Sequence, residues 1–247
     1  MQISVLEKAV KTLLSSNNAK KQLHTEDTGK VFEMAICMSY QTPYVSKKQY
    51  KYGIERPTAL LDRLAQLPHL FPACTHTAEK GSLYDFTSTD GTRHLSAKST
   101  KKDCKVAPQR VGQATPATFC ERMNIPFSSV PVLKTYIQDN ITSLLPTLLQ
   151  YTFGTNTDVL FYNEKEDTIQ FITQIAPICW DTYPISWTCS ATEWNNSSTM
   201  KMTMPDGKMV SMLEIQFHSS SRTNMAVRWC FDKLLTTFPS AFRIVNL

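Results

Sequence analysis

The sequence lacks the features by which membrane, secreted and zinc-binding proteins are commonly recognised. No apolar run reaches the length of a membrane span, and the seven cysteines show no CxxC spacing. The first residues, MQISVLEKAVKTLL, are amphipathic and lack the basic start and apolar core of a secretory signal. We therefore expect a cytoplasmic protein with reduced thiols and no membrane contact. With 42% hydrophobic and 19% charged residues, the composition is that of an ordinary globular chain.

The positive charge of the chain is small overall but concentrated in one place. A formal net charge of +5 over 247 residues does not by itself indicate a nucleic-acid partner. Five cations, however, crowd one short segment: Lys98, Lys101, Lys102, Lys105 and Arg110. A local excess of this kind favours a polyphosphate substrate such as DNA, although a solvated lysine-rich loop has the same composition.

The stretch that leads into these cations predicts a β-hairpin. SLYDFTS is rich in β-forming residues, TDGT is a turn tetrapeptide with Asp90 and Gly91 at its centre, and RHLSAKS follows. A turn centred there pairs residues whose numbers add up to about 181, so Asp85 faces Ser96. Lys98 then lies one step further along the same face. Asp85 and Lys98 would thus lie on the same face of the hairpin. The Asp85 carboxylate could hold a divalent metal, and the lysine could stabilise charge on a phosphate.

The pattern D-(x10)-S-x-K across two antiparallel strands resembles the active-site hairpin of the PD-(D/E)xK nucleases, the fold of most type II restriction endonucleases. Tyr84 stands where that pattern has proline, and Ser96 stands where it has an acid. Some enzymes of that superfamily carry a neutral residue there and draw a second carboxylate from an earlier helix. Glu33, in the predicted helix KVFEMAICMSY, is available for this role, although a lone glutamate in such a helix also suits its exposed side.

The resemblance implies an α/β fold with a PD-(D/E)xK restriction-endonuclease-like core, in which helices flank a mixed central β-sheet. It implies a magnesium-dependent, sequence-specific endonuclease of double-stranded DNA, in which Asp85 and Glu33 ligate Mg²⁺. Lys98 would stabilise the developing charge, and Ser96 and Gln113 would support the metal ligands or contact the phosphate. A palindromic recognition sequence would favour a homodimer.

We expect one nuclease domain over residues 1–247, with 41–81 as an insertion and 180–247 as the part that recognises DNA. Cations and amides beside the hairpin and near the C-terminus are candidates for phosphate or base contacts. These candidates are Lys101, Lys102, Lys105, Gln109, Gln216, His218, Arg222, Asn224 and Arg228. Each of them could also be solvated, and His218 could instead be a buried histidine bonded to the backbone.

A second motif competes for the metal site. Pro205 and Asp206, followed by Glu214 and Gln216, read as a literal P-D-x7-E-x-Q. Asp206, however, falls in the predicted turn of a hairpin formed by TMKMTM and KMVSMLEIQFH, and the residue facing Glu214 would be near Thr199. The spacing therefore favours the first hairpin and leaves the second as the alternative.

The remaining segments predict the flanking elements. We expect helices over residues 2–16, from near Thr28, around Thr115 and over 139–152, the last capped by Asp139 or Asn140 and kinked or broken by Pro146. TDVLFYN and TIQFITQ predict a further hairpin, Met225 to Leu234 a helix, and AFRIVNL a final strand. Two other functions are compatible with this pattern: a non-catalytic DNA-binding protein, and a structural or interaction protein without a nucleic-acid partner.

Overall fold

The computed structural model describes residues 25–45, 50–78, 82–189, 194, 196–218 and 223–247. The predicted helix over residues 2–16 and the candidate Arg222 lie outside this part of the chain. Among the described residues, no helix is long and apolar enough to cross a membrane.

Seven α-helices and eleven strands make up the described chain. The helices are α1 (Thr25–Ser39), α2 (Glu55–Thr58), α3 (Leu61–Leu64), α4 (Leu67–Leu70), α5 (Pro116–Met123), α6 (Val130–Gln150) and α7 (Phe231–Thr237). The strands are β1 (Cys74–His76), β2 (Phe86–Ser88), β3 (His94–Thr100), β4 (Lys105–Val106), β5 (Thr157–Asn163), β6 (Thr168–Gln174), β7 (Ile185–Trp187), β8 (Ser197–Thr203), β9 (Met209–Phe217), β10 (Met225–Cys230) and β11 (Phe242–Asn246). Short 3₁₀ turns occupy Trp180–Thr182 and Pro239–Ala241.

The first sheet has six strands in the order β1-β2-β3-β5-β6-β11. It is mixed, because β3 and β5 run parallel while the other neighbours are antiparallel. The first five residues of β5 are buried, as expected for a central strand covered on both faces. Helix α1 packs against β3. The expected mixed sheet with flanking helices is therefore present, and the predicted β5–β6 hairpin and final strand are confirmed.

A second, five-stranded antiparallel sheet with the order β4-β10-β9-β8-β7 was not foreseen as a separate unit. The β8–β9 hairpin agrees with the prediction, but the helix predicted from Met225 is wrong over its first half. Met225, Val227 and Trp229 are fully buried and alternate along strand β10. Two-residue periodicity and pairing with β9 on one side and β4 on the other override the weak helical pattern, so the helix begins only at Phe231.

Helix α6 begins at Val130, earlier than the expected 139, and it continues past its proline to Gln150, near the expected end at 152. Its N-cap is Ser129, whose hydroxyl accepts from the backbone N–H of Val132, so neither Asp139 nor Asn140 caps it. Pro146 lies inside the helix on its exposed side, and the helix continues to Gln150. An internal proline costs about 3 kcal/mol. Seven buried aliphatic side chains along the helix offset that, because each contributes roughly 1.5–3 kcal/mol.

Two apolar clusters fill the interior. The larger one joins α6 and α7 to the second sheet and to one face of the first. The smaller one joins α1 and the short helices α3 and α4 to the other face of the first sheet, through residues such as Phe32, Leu95 and Leu160. Because α1 is held on this second face, its side chains reach the end of the sheet where β1, β2 and β3 meet.

Candidate active site

The β2–β3 hairpin has the predicted register. Phe86 pairs with Leu95 and Thr87 with His94, and the residue numbers add up to 181 in both pairs. The turn is closed by Gly91, whose φ of 72° is in the left-handed region that glycine adopts without strain. This register brings Asp85, immediately before β2, opposite Ser96 in β3.

One oxygen of the Asp85 carboxylate is held by three donors. Its Oδ2 accepts from the backbone N–H of Ala97 at 2.8 Å, from Oγ of Ser96 at 3.2 Å and from Nε2 of Gln109 at 3.2 Å. Gln109 Nε2 also lies 2.9 Å from Oγ of Ser96, which links the two side chains. No residue in the described ranges donates a hydrogen bond to Oδ1 of Asp85. The carboxylate is thus fixed through one oxygen and open to a ligand through the other.

Glu33 and Lys98 share the electrostatic environment of Asp85. Burial raises the pKa of Asp85, the nearby Glu33 carboxylate raises it further, and Lys98 opposes both effects. Burial lowers the pKa of Lys98, against the attraction of Asp85 and Glu33. Two carboxylates and one ammonium therefore lie close enough to influence one another, and all three side chains are half-buried. This cluster unites three of the residues that the sequence nominates for catalysis.

The Glu33 side chain points toward a residue that the sequence did not single out. Its Oε2 lies 3.4 Å from Nε2 of His76, and the Glu33 side chain is 19% exposed while that of His76 is 1% exposed. His76 ends strand β1, where it pairs with Phe86 of β2. The three-residue strand gives no sequence periodicity that could have predicted this contact.

Of the two glutamines proposed near the hairpin, the one that contacts Asp85 is Gln109. Gln113 is exposed and lies in a segment that runs beside β10, where the carbonyl of Gly112 accepts from Val227 at 2.9 Å. The sequence assigned Gln113 to the catalytic centre and Gln109 to DNA. Both follow β3 in an irregular segment without periodicity, so the sequence contains no signal that distinguishes them.

The residues of the competing motif on the β8–β9 hairpin, Asp206 and Glu214, do not lie together. Thr199 faces Glu214, as predicted. Asp206 is exposed in the turn, where its Oδ1 accepts from the backbone N–H of Lys208 at 3.0 Å. Asp206 and Glu214 are therefore separated along the hairpin. Within the described ranges, no group of three or more His, Cys, Asp or Glu side chains could together hold a metal ion.

Glu214 instead belongs to a partly buried network of charges on the second sheet. Its carboxylate lies 2.5 Å from Nζ of Lys105 and 3.4 Å from Arg228, and it accepts from Nε2 of Gln216 at 2.7 Å. Arg228 also donates to Oε1 of Gln216 at 2.6 Å. Lys105 is placed by the pairing of β4 with β10. Three residues predicted to contact DNA thus surround the Glu214 carboxylate: Lys105, Gln216 and Arg228.

The other candidates for DNA contact are dispersed. Lys101 lies 3.9 Å from Glu164, and Lys102 is exposed. His218 is exposed, so the alternative of a buried histidine is wrong. Asn224 is half-buried, and its Oδ1 has no hydrogen-bond partner among the described residues.

Two cavities border the region without containing Asp85. A cavity of about 260 Å³ is lined by Leu83 and Tyr84, which precede Asp85, and by Arg110 and Tyr151 among others. A larger one of about 710 Å³ lies by Arg93 at the start of β5. Neither of them is lined by Glu33, Asp85 or Lys98.

Comparison with known proteins gives one informative similarity. The chain is similar to the type II restriction enzyme CviAII of Paramecium bursaria Chlorella virus 1, with 39% identity over 229 residues. The match covers 91% of this chain and 64% of that enzyme, so the chain spans less than two thirds of its relative. No family model matches the chain, and no solved structure matches it.

Proposed function

We propose that this protein is a magnesium-dependent, sequence-specific endonuclease that hydrolyses phosphodiester bonds of double-stranded DNA, as a type II restriction enzyme with a PD-(D/E)xK core. The observation that carries the proposal is the hairpin register that places Asp85 beside Ser96 and Ala97, one step from Lys98, where Glu33 also influences both charges. The similarity to a type II restriction enzyme over 91% of the chain supports it from an independent direction.

The residues present fit a Mg²⁺ ion. Magnesium prefers oxygen ligands and is commonly held by one or two carboxylates, with water and substrate phosphate completing its coordination. Asp85 offers Oδ1, and Glu33 offers a second carboxylate in the same electrostatic environment. Two neighbouring negative charges in a half-buried place are stabilised by a divalent cation. We therefore assign Asp85 and Glu33 as the residues that would hold the metal.

The roles of the surrounding side chains follow from their contacts. A bound metal would polarise the scissile phosphate and lower the pKa of a coordinated water. The Lys98 ammonium, on a half-buried side chain, would stabilise negative charge that develops on the phosphate. Ser96 and Gln109 fix Oδ2 of Asp85, so that Oδ1 keeps one orientation. Gln113 is exposed and is not among the residues that hydrogen-bond Asp85, so it would contact DNA rather than the metal site.

DNA would be bound by the cations and amides of the second sheet and of the β3–β4 connection. Lys102 and His218 are exposed, while Gln216 and Arg228 form a preoriented pair of the kind that recognises base edges in a major groove. We propose that residues 180–247 recognise the sequence and that a palindromic site is bound by a homodimer. Phosphate contacts by these cations predict affinity that falls steeply with salt.

The test is digestion of plasmid or phage DNA by the purified protein with Mg²⁺ or with EDTA. Asp85→Asn and Lys98→Met remove one charge each at nearly constant volume, and Asp206→Asn is the matched control on the other hairpin. Discrete fragments that require Mg²⁺ and disappear only in the first two variants support the proposal. Loss only in Asp206→Asn would move the centre to the second hairpin.

Two further outcomes would replace the proposal. DNA that stays intact under all conditions while salt-dependent binding persists would indicate a non-catalytic DNA-binding protein. Absence of both cleavage and binding would indicate a structural or interaction protein.

A further inference from the structure

We propose that His76 is a positioning residue that fixes the Glu33 carboxylate for metal binding beside Asp85. This inference rests on the function proposed above and adds to it a residue outside the resembled motif. His76 is the last residue of β1, and the next residue, Thr77, donates its backbone N–H to the carbonyl of Asp85 at 2.8 Å. The histidine is thereby tied to the backbone of the catalytic hairpin.

The hydrogen bond at one ring nitrogen determines the state of the other. The backbone N–H of Val45 donates to Nδ1 of His76 at 2.9 Å. A ring nitrogen that accepts a hydrogen bond carries no proton, so in the neutral imidazole the proton is on Nε2. His76 therefore presents an N–H donor in the direction of Glu33.

The Nε2 donor is buried and lacks another acceptor. It forms no ordinary hydrogen bond within the described part of the chain, and Oε2 of Glu33 lies 3.4 Å from it. A shift of roughly half an ångström would bring that pair to the usual N–H···O distance. Buried polar groups are normally bonded, so this donor favours the position of Glu33 that closes the gap.

Two aromatic rings prevent the imidazole from turning away. Tyr44 stacks on His76 with ring centroids 4.7 Å apart and an interplanar angle of 21°. Phe86, from the facing strand, packs against the imidazole with ring centroids 4.9 Å apart. With the ring clamped and Nδ1 bonded to the backbone, the direction of Nε2 is set by the fold.

Each of the two carboxylates is thus oriented through one of its oxygens. Asp85 is held through Oδ2 by Ala97, Ser96 and Gln109, which leaves Oδ1 for a ligand. Glu33 is oriented through Oε2 by His76, which leaves Oε1. A glutamate has three side-chain torsions, and orienting it in advance reduces the entropy lost when a metal binds.

The test uses two variants that each keep one of the two histidine contacts. In His76→Asn the side-chain oxygen replaces Nδ1 as acceptor for Val45, but the donor to Glu33 is lost. In His76→Gln the side-chain amide replaces Nε2 as donor to Glu33, but the acceptor for Val45 is lost. Both variants remove the ring, so loss of aromatic packing is common to them.

Metal affinity is measured without DNA, from the rise in melting temperature as Mg²⁺ is titrated, and the Mg²⁺ dependence of the cleavage rate is measured separately. We expect His76→Asn to weaken Mg²⁺ binding by roughly 10–100-fold, as is typical when a partner of a metal ligand is lost. His76→Gln should stay within about threefold of the wild type by the same reasoning. DNA binding in EDTA should be unchanged in both.

Failure of the inference can be told from failure of the proposed function. Wild-type protein that neither cleaves DNA nor gains stability with Mg²⁺ would remove the function, and with it the inference. Wild-type protein that does both, with equal Mg²⁺ affinity in the two variants, would overturn the inference alone. If His76→Asn does not fold, His76→Gln still decides: a variant that melts like the wild type in EDTA but binds Mg²⁺ more than tenfold weaker would refute a role for the donor.

A double-mutant cycle with Glu33→Gln separates positioning from packing. If His76 acts through Glu33, His76→Asn should leave the remaining Mg²⁺ affinity unchanged once Glu33 is Gln. Equal losses in both backgrounds would make His76 a structural residue and would contradict the proposal.

Discussion

Glu214→Gln is expected to destabilise the fold, and the size of the effect separates a structural network from a metal site. The Glu214 side chain is 10% exposed and lies within 2.5 Å of Lys105 and 3.4 Å of Arg228. The variant keeps the volume of the side chain but removes its charge. It also places an amide NH₂ next to two cations, where there was an acceptor.

The magnitude follows from burial. Removing one partner of a fully buried ion pair costs about 3–5 kcal/mol, because the other partner stays buried without a counter-charge. Lys105 and Arg228 keep 30% and 32% of their side-chain surface exposed, so water compensates part of the loss. With a discount of about half for this screening, we expect a loss of about 2 kcal/mol. For a chain of this size, that corresponds to a fall in melting temperature of roughly 4–8 °C.

The assay is thermal unfolding followed by circular dichroism in EDTA at pH 7, with Asp206→Asn as the control. The control changes an exposed turn residue and should melt within about 1 °C of the wild type, since surface substitutions rarely exceed 0.5 kcal/mol. A Glu214→Gln variant that melts like the wild type would refute the reasoning about the network. If that variant also failed to cleave DNA and lost its response to Mg²⁺, the metal site would lie on the second sheet.

Three other substitutions or treatments probe the site and the core. Lys98→Met should leave DNA binding in EDTA unchanged and slow cleavage by roughly 10²–10³-fold, because one charge-stabilising group contributes about that much; equal rates would exclude the lysine from catalysis. Burial raises the pKa of Cys74 to about 12, so only roughly one thiol in ten thousand is ionised at pH 8. Mass spectrometry after iodoacetamide treatment should find exposed Cys179 alkylated and Cys74 unmodified, with labelling of Cys74 increasing as pH rises. Thr152→Val should lower the free energy of unfolding by about 1–3 kcal/mol in urea, because it leaves the buried indole N–H of Trp229 without its acceptor at 3.0 Å; an unchanged midpoint would contradict this.

Local signals determined what the sequence could predict. The Asp90–Gly91 turn set the register of the hairpin, and the alternation of the flanking residues then put Asp85 opposite Ser96. The β5–β6 and β8–β9 hairpins were predictable for the same reason. In each case the pairing partners are close in the chain, so turn chemistry and two-residue periodicity contain the necessary information.

The features that were missed depend on contacts between distant segments. His76 reaches Glu33 from another part of the chain, and Gln109 contacts Asp85 from an irregular loop. No periodicity in the sequence therefore predicts either contact. Strand β10 was mistaken for helix because the helix that begins at Phe231 follows it directly. The start of α6 was placed too late, since the first turn after Ser129 is VPVL, which is apolar throughout and therefore shows no amphipathic stripe.

The parallel pairing of β3 with β5 has a consequence for how the proposed activity would be acquired during folding. Residues 101–156 must cross over before Lys98 meets Phe161, whereas the β2–β3 hairpin closes through a short turn. Parallel pairing between strands this far apart in the chain is slow, whereas a hairpin forms in roughly 1–10 μs. The carboxylate and the lysine of the candidate site can therefore be brought together early, while the strand that bears the lysine gains its central neighbour late. Recovery of cleavage on refolding should lag behind the appearance of β-structure, because the hairpin alone does not bury the site.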